Sequence, residues 1–299
     1  MQCVAVDALE PRSDWYRHLE EGRVLFFPKT PFDVAESHRE TLRKTAQVAG
    51  AHHKNIAYRP AQNRVTGFEK AADSEALRDA LRSYSQNALR FLGEFVPRYM
   101  QKARVDFASF RPQEEEGRDL PTNKRNDLLH VDAFPSRPTR GDLILRIFTN
   151  INPEKSRVWM VSDAFGEAAR QHAEAAGLAG IASSSESPLA RLRAGVAPAL
   201  AAMGIGAANR SPYDRFMLGF HDYLKHSADY QRDCPKYRLE FPPDSTWMCF
   251  TDVVPHAVLS GRYALEQTVI VSRESLLDRR NAPVEILQKI CGRPLVATS

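Results

Sequence analysis

The chain has 299 residues, of which 43% are hydrophobic and 26% charged, and its formal net charge is +4 with a sequence pI near 8.9. This is an ordinary globular composition, and so small a charge, without repeats or a recognition-helix pattern, argues against a nucleic-acid partner. No run approaches the roughly 18 apolar residues of a membrane span, and the opening residues lack the pattern of a signal peptide, so we expect one large domain that folds in the cytoplasm.

Residues 1–101 are expected to form a mixed α/β layer that flanks the rest of the domain. Apolar residues at helical spacing predict helices at Trp15–Glu21, Pro31–Gln47 and Ser74–Met100, the last of which is long enough to support a sheet. The run Arg23–Phe27 is aliphatic and aromatic, and it predicts a strand that ends at the following proline.

Short strands are predicted from residue 104 onward. Val105–Phe110, Asp142–Ile151 and Arg157–Ser162 are rich in β-branched and aromatic residues, and a further strand is predicted to end at His130. Loops rich in proline, glycine and charged residues separate these runs. Together they predict the first half of a sheet.

Residues 163–235 are interpreted as a helical insertion and not as a separate domain. Alanine-rich runs, the segment Leu189–Leu200 and the segment 211–226 all have apolar residues at helical spacing. His221 and His226 lie five positions apart, which does not place them on one helical face. We therefore interpret both as packing or surface residues.

The sheet is expected to resume after this insertion. Lys236–Phe241, Ser245–Asp252 and Leu265–Ser272 predict three strands, because each run is β-branched or aromatic and turn residues separate them. Residues 274–299 are expected to form a C-terminal extension.

His130 and Asp132 form a His-x-Asp pair that could bind a metal ion. A strand points residues i and i+2 to one face, so the imidazole and the carboxylate can meet there. With a second imidazole they would make the facial triad that suits non-haem Fe(II) and leaves positions open for oxygen and a co-substrate. The pair alone is a weak signal, because His-x-Asp also arises by chance. His256 follows a proline between two of the late strands, 126 positions (256 − 130) beyond the first histidine.

Three longer motifs resemble one family. The segments LLHVDAFPSRPTRGDLILRIFTNINP, PHAVLSGRYALEQT and GRVLFFPKTPF are similar to the Kdo hydroxylases of Gram-negative bacteria, where Kdo is 3-deoxy-manno-octulosonic acid. The resemblance covers most of the chain. It implies an α+β domain whose core, residues 102–162 and 236–273, is a double-stranded β-helix (a cupin-like jelly-roll) with flanking and inserted helices.

The resemblance also implies an activity and a ligand set. The activity is hydroxylation at C3 of a Kdo residue in Kdo-lipid A, with O2 and 2-oxoglutarate as co-substrates and Fe(II) as the metal. Carried over to this sequence, the iron ligands are His130, Asp132 and His256.

The distal carboxylate of 2-oxoglutarate needs a buried cation, and a guanidinium can bind it with two hydrogen bonds. Arg146 is the first choice, because it lies in an apolar strand on the same face as Phe148 and Asn150. An outward-facing arginine is the alternative. Related oxygenases often place the anchor on the strand after the distal histidine, which here suggests Arg262, with Gln267 or Thr268 in support. Arg157 and Trp159, two positions apart on a neighbouring strand, could line the same cavity.

Basic residues cluster in sequence around the expected mouth of the site. Arg111, Arg137 and Arg140 are candidates to pair with the Kdo carboxylate and the lipid A phosphates, and Lys124 and Arg125 lie close to them in sequence. A solvated rim is the alternative interpretation. Because lipid A is embedded in a bilayer, we expect peripheral association with the cytoplasmic face of the inner membrane.

Two other classes of protein remain open on the residues alone. A jelly-roll protein could bind a sugar without chemistry, and a zinc hydrolase could use the same three ligands around a metal-bound water. A 2-oxoglutarate oxygenase with another small or sugar substrate is the nearest alternative. The sequence does not predict the oligomeric state. One hypothesis is that the helical insertion closes over the mouth of the site as a lid.

Overall fold

Two β-sheets pack face to face in the computed structural model, which describes residues 2–47, 55–69, 73–184 and 210–297. The strands are β1 (Cys3–Ala5), β2 (Val24–Phe27), β3 (Ile56–Arg59), β4 (Arg64–Thr66), β5 (Arg104–Arg111), β6 (Leu143–Asn150), β7 (Arg157–Val161), β8 (Tyr237–Phe241), β9 (Thr246–Phe250), β10 (His256–Ser260) and β11 (Ala264–Val271). The helices are α1 (Ser13–Glu20), α2 (Glu36–Lys44), α3 (Ser74–Phe95), α4 (Pro97–Met100), α5 (Phe165–His172), α6 (Leu178–Ser184), α7 (Pro212–His226), α8 (Ala228–Asp233) and α9 (Pro283–Cys291).

The larger sheet has eight strands in the order β1-β2-β9-β6-β11-β5-β3-β4. Apart from the parallel pair β1–β2, neighbouring strands run antiparallel. The smaller sheet has three strands in the order β10-β7-β8. Strands from both halves of the chain are therefore neighbours in each sheet, as in a jelly-roll.

Alternation along β6 separates the two faces of the larger sheet. Leu143, Leu145 and Ile147 belong to the main core with the apolar face of α3, whereas Phe148 packs with Trp159 of the smaller sheet. Because side chains alternate along a strand, Arg146 shares the face of Phe148 and points between the sheets. The sequence-based orientation of Arg146 follows from this same alternation.

The helix α3 supports the outer face of the larger sheet. Its N-cap, Asp73, accepts hydrogen bonds from the backbone N–H groups of Glu75 and Ala76, which satisfies two donors of the first turn. The helix ends at Phe95, earlier than expected, because Pro97 disfavours helical backbone at Val96 and cannot donate a hydrogen bond. A separate short helix, α4, follows.

Three other predicted elements differ from the structure or lie outside it. The helix expected at 31–47 begins only at Glu36. The strand expected to end at His130 is reduced to one bridge between His130 and His256. Helices α5 to α8 fall within the expected insertion, but the predicted helix Leu189–Leu200 lies outside the described residues. Among the helices that are described, none is long and apolar enough to cross a membrane.

Candidate active site

His130, Asp132 and His256 converge at one end of the space between the sheets. His130 and His256 exchange backbone hydrogen bonds of 3.1 and 2.9 Å, and the Asp132 N–H donates to the carbonyl of Thr251 at 2.9 Å. Each of the three residues offers one side-chain atom that could ligate a metal ion, and these three atoms lie within 4.8 Å of one another. The backbone pairing thus brings together residues that are far apart in sequence.

Both histidines direct their Nε2 atoms toward the cluster of three ligand atoms. His130 Nδ1 donates to the Leu128 carbonyl at 2.7 Å, and His256 Nδ1 donates to the Val254 carbonyl at 2.9 Å. The Nε2 lone pair of each ring is therefore available to a metal. Burial lowers the pKa of both imidazoles, which keeps them in the neutral form that a metal ligand needs.

Asp132 supplies the anionic ligand. Burial alone would raise the pKa of this carboxyl, but the Arg146 guanidinium, whose Nη1 lies 2.9 Å from Asp132 Oδ2, lowers it below its usual value. Among the described residues, no group bonds to this oxygen with hydrogen-bond geometry. Two neutral imidazoles and one ionised carboxylate fit the donor set of a facial Fe(II) site, and a bound cation would satisfy the buried oxygen.

Arg146 faces the site but holds one of its ligands. Its guanidinium lies between Asp132 and Glu266, with Nε 3.3 Å from Glu266 Oε1. Arg146 is therefore already neutralised by two carboxylates. Arg146 was the first choice from sequence for the 2-oxoglutarate anchor. Its placement between two carboxylates fits a different role, which is to orient Asp132.

Glu266 is a buried residue that the sequence analysis missed. Arg111 Nη2 and Nε lie 2.5 and 3.2 Å from Glu266 Oε2, and the Thr268 hydroxyl donates to Oε1 at 3.0 Å. Burial would raise the Glu266 pKa, but Arg146 and Arg111 hold it below its usual value. The available signal was a carboxylate within the otherwise apolar and uncharged run ALEQTVIV.

A cavity of about 490 Å³ opens beside the three ligands, within the range of small-molecule sites. Its wall combines all three ligands with arginines, lysines and aromatic rings. The residues are Asn55, Arg111, Asn123, Lys124, Asn126, His130, Asp132, Ala133, Phe134, Pro135, Arg146, Phe148, Arg157, Trp159, Leu218, His221, Asp222, Lys225, His256 and Val258.

Arg157 is the most deeply buried arginine of this wall, with 1% of its surface exposed. It donates to the Gly261 carbonyl at 2.8 Å, and its Nη2 lies 3.5 Å from Glu115 Oε1. Its Nε has no hydrogen-bond partner within the part of the chain that the structure describes. Burial lowers its pKa to about 10, so it stays protonated at neutral pH. Only glycine fits at 261, since an added Cβ would lie 2.9 Å from Arg157 Cα. A buried guanidinium with an unsatisfied Nε can bind an anionic ligand in addition to Glu115.

Trp159 lies two positions from Arg157 on the same face of β7. Its ring stacks on His256 with centroids 5.1 Å apart and an interplanar angle of 20°, and it meets Phe148 edge to face. The indole therefore fixes the plane of one ligand and lines the cavity between that ligand and Arg157. Both residues were sequence candidates for this cavity.

The other cofactor candidates are placed differently. Arg262 is exposed, and its guanidinium lies over the ring of Tyr263, outside the cavity wall. Gln267 points to the opposite face of the sheet, where Ser85 of α3 donates to its side-chain oxygen at 2.7 Å. Thr268 faces inward but is bonded to Glu266. Neither Arg262 nor Gln267 reaches the cavity, because strand alternation and the turn before β11 direct them elsewhere.

Two of the substrate candidates are also outside the cavity wall, whereas Arg111 lies in it, paired with Glu266. Arg137 is packed against the rings of Phe107 and Phe134 and lies 3.0 Å from Asp106 Oδ2. Arg140 has an exposed side chain and a left-handed backbone with φ 57°. Both therefore belong to the loop between the ligand pair and β6 and not to the inner wall.

His221 belongs to the site, contrary to its interpretation as a packing or surface residue. Its ring meets His130 edge to face at 4.8 Å, and its Nδ1 donates to the Val131 carbonyl at 2.8 Å. The inserted helix α7 thus packs its His221 face on the ligand-bearing segment. The spacing of residues along α7 indicates which of them share a helical face. It does not indicate that this face packs on the metal ligands.

A His/Asp/His set at the open end of a jelly-roll, beside a cavity with buried arginines, defines a non-haem Fe(II)- and 2-oxoglutarate-dependent dioxygenase. Residues 4–294 match the family model described as 3-deoxy-D-manno-oct-2-ulosonic acid (Kdo) hydroxylase. The chain belongs to this Kdo hydroxylase family, which confirms the family resemblance, the fold class and the enzyme class.

Solved structures of one relative, the Kdo hydroxylase KdoO, are similar over the whole chain. The cobalt(II) complex of this non-haem Fe(II) α-ketoglutarate-dependent dioxygenase is 33% identical with a TM-score of 0.84, over 100% of this chain and 99% of that one. Its complex with α-ketoglutarate and Fe(III) is 32% identical with a TM-score of 0.82, over 99% and 98%. No curated protein sequence matches significantly.

Proposed function

We propose that this dioxygenase, with O2 and 2-oxoglutarate as co-substrates, hydroxylates C3 of the Kdo sugar in Kdo-lipid A. One observation carries the proposal. The cavity that holds the His130, Asp132 and His256 ligand atoms also contains Arg157, a buried guanidinium whose Nε forms no hydrogen bond with the described residues. A metal chelated by a dianionic 2-oxoacid needs both features in one cavity.

Each ligand residue has a role that follows from its contacts. His130 and His256 would hold the metal through Nε2, because their Nδ1 atoms are bonded to backbone carbonyls. Arg146 keeps Asp132 ionised and oriented. Bound Fe(II) supplies the redox chemistry that couples decarboxylation of 2-oxoglutarate to oxidation of the substrate.

Arg157 is the proposed anchor for the distal carboxylate of 2-oxoglutarate. Arg146 and Arg111 pair with Asp132 and Glu266 at 2.9 and 2.5 Å, whereas the ion pair of Arg157 with Glu115 is longer, at 3.5 Å, so a further anion gains most from Arg157. Trp159, two positions from Arg157 on the same face of β7, stacks on His256. Arg157 and this ligand therefore line one cavity, with the indole beside both.

The proposed substrate lies in a membrane, so the surface of the enzyme has to bind the bilayer. Kdo is attached to lipid A in a bilayer, so we propose that the enzyme docks peripherally on the cytoplasmic face of the inner membrane. Exposed basic side chains near the cavity loop, such as Arg140, would favour an anionic lipid surface. We expect the fraction that sediments with anionic vesicles to fall as salt rises. Recovery in the supernatant at every salt concentration would contradict this docking.

Metal and co-substrate binding test the oxygenase function directly. Anaerobic titration of the protein with Fe(II) and then 2-oxoglutarate should produce the weak visible charge-transfer band of a chelated 2-oxoacid. His130→Ala should lose the band, because one of three ligands is removed. His226→Ala is the matched control, since this histidine is exposed on α7 and should retain the band.

The other outcomes separate the remaining classes of protein. Tight zinc binding without the band would favour a hydrolase that uses a metal-bound water. Binding of a Kdo glycoside without any metal binding would favour a sugar-binding protein. A band in the wild type without Kdo hydroxylation would leave an oxygenase with another substrate.

A further inference from the structure

We propose that Lys225, on the inserted helix α7, binds the carboxylate of the sugar substrate, so that the insertion forms the substrate side of the cavity. The inference rests on the proposed function, because it assigns the acidic group of the Kdo sugar to a particular side chain. It concerns a residue distinct from the metal ligands and from the arginines that face 2-oxoglutarate.

One face of α7 lines the cavity along two helical turns. Leu218, His221, Asp222 and Lys225 all contribute to the wall, and their spacing of i, i+3, i+4 and i+7 places them on one stripe of the helix. Lys225 is only 3% exposed. A lysine ammonium group on this wall can donate hydrogen bonds to an anionic ligand that enters the cavity.

Contacts on both sides of Lys225 fix this stripe against the metal site. His221, one helical turn earlier, donates to the Val131 carbonyl between the two ligands His130 and Asp132. After the helix, Gln231 donates to the carbonyls of Leu224 and Leu129, and its side-chain oxygen accepts from the Leu129 N–H. The end of α7 is thus tied to the ligand-bearing segment, and Lys225 lies one turn from a ring that touches His130.

The positive charges of the cavity divide into two groups. Arg111 and Arg146 are paired with Glu266 and Asp132, and Arg157 lies on β7, where 2-oxoglutarate is proposed to bind. Lys225 and Lys124 come from the helical insertion and from the loop before the ligand pair. Lys225 Nζ donates to the Asn123 carbonyl at 3.3 Å, which links these two segments. A lysine ammonium has three donors, so it can bind a carboxylate and keep this bond.

The chemistry of the substrate requires a cation at such a place. In a 3-deoxy-2-ulosonic acid the carboxyl carbon C1 and the deoxy carbon C3 are both bonded to C2. When C3 approaches the metal, the carboxylate therefore has to enter the same cavity within a few ångströms. It needs a positive charge there that 2-oxoglutarate does not occupy, and Lys225 meets this condition.

Binding of two sugar probes tests the assignment without turnover. The probes are a Kdo glycoside with its free carboxylate and the same glycoside as the C1 carboxamide, titrated calorimetrically under anaerobic conditions into protein loaded with Fe(II) and 2-oxoglutarate. Lys225→Met removes the charge and keeps the length of the side chain. We expect it to weaken binding of the carboxylate probe about 10- to 100-fold, the range for losing one charge-assisted hydrogen bond. The carboxamide should bind the wild type and the variant equally weakly.

Controls keep folding and function apart. Lys236→Met changes an exposed lysine and should leave both affinities unchanged. The charge-transfer band should persist in Lys225→Met, and Lys225→Gln repeats the test with a polar side chain if the first variant unfolds. Equal carboxylate affinity in the wild type and both variants would overturn the proposal. If the wild type binds the carboxylate probe through Lys225 but does not hydroxylate it, the proposed function fails while the carboxylate site stands.

Discussion

Replacing Asp132 with alanine should lower Kdo-dependent turnover of 2-oxoglutarate by at least about 10³-fold, because the metal contributes several kcal/mol of transition-state stabilisation and loses its anionic ligand. Asp132 is the one member of the triad that carries charge, and its carboxylate is kept ionised by Arg146. The variant should also bind Fe(II) more weakly, which equilibrium dialysis against a chelator would measure. Asp132→Asn keeps the shape but loses the charge, and it should resemble the alanine variant.

The control for this experiment is a carboxylate far from the cavity. Asp229 is exposed on α8 and pairs with Arg232, so Asp229→Ala should retain both turnover and metal affinity. We expect the Asp132 variants to fold, because Arg146 keeps Glu266 as a partner. Thermal unfolding of the metal-free variant would check this. Turnover within tenfold of the wild type in a folded Asp132→Ala protein would exclude Asp132 as a metal ligand.

Replacing Arg157 with methionine should raise the dissociation constant for 2-oxoglutarate by about 10²-fold or more, the cost of removing one partner of a buried charge pair. The fold should tolerate the change, because Glu115 retains Arg118 at 3.2 Å and Asn126 as partners. Anaerobic titration of the charge-transfer band measures the affinity. Arg157→Lys should restore only part of it, since an ammonium cannot form the paired hydrogen bonds of a guanidinium.

Arg262 provides a matched control for Arg157. It is the arginine that follows the distal histidine, where related oxygenases often place the anchor, yet it is exposed and lies over Tyr263. Arg262→Ala should leave 2-oxoglutarate affinity unchanged. If it weakened binding as much as Arg157→Met, the anchor would have to be reassigned to the turn before β11.

Local patterns predicted the parts of the site that depend on strand alternation. The period of two places Arg146 on the inner face with Phe148, and Arg157 with Trp159, whatever the rest of the fold does. The pair His130 and Asp132 also shares a face, although its segment forms only one bridge.

Alternation does not show which face of an almost entirely apolar strand is the inner one. In β11 both faces are buried, so the sequence suggested Gln267 and Thr268, which lie on opposite faces, and did not single out Glu266. His221 was missed for a related reason. The stripe on α7 is local, but its contact with Val131 is a tertiary contact between residues 90 positions apart.

The pairing of His130 with His256 also determines when the site can form during synthesis. The two residues are 126 positions apart (256 − 130), and the described part of the intervening chain contains β6 to β9 and helices α5 to α8. A nascent chain that has not yet exposed residue 256 holds only two of the three ligands. The complete ligand set therefore exists only after the chain has been made through residue 256 and this long loop has closed.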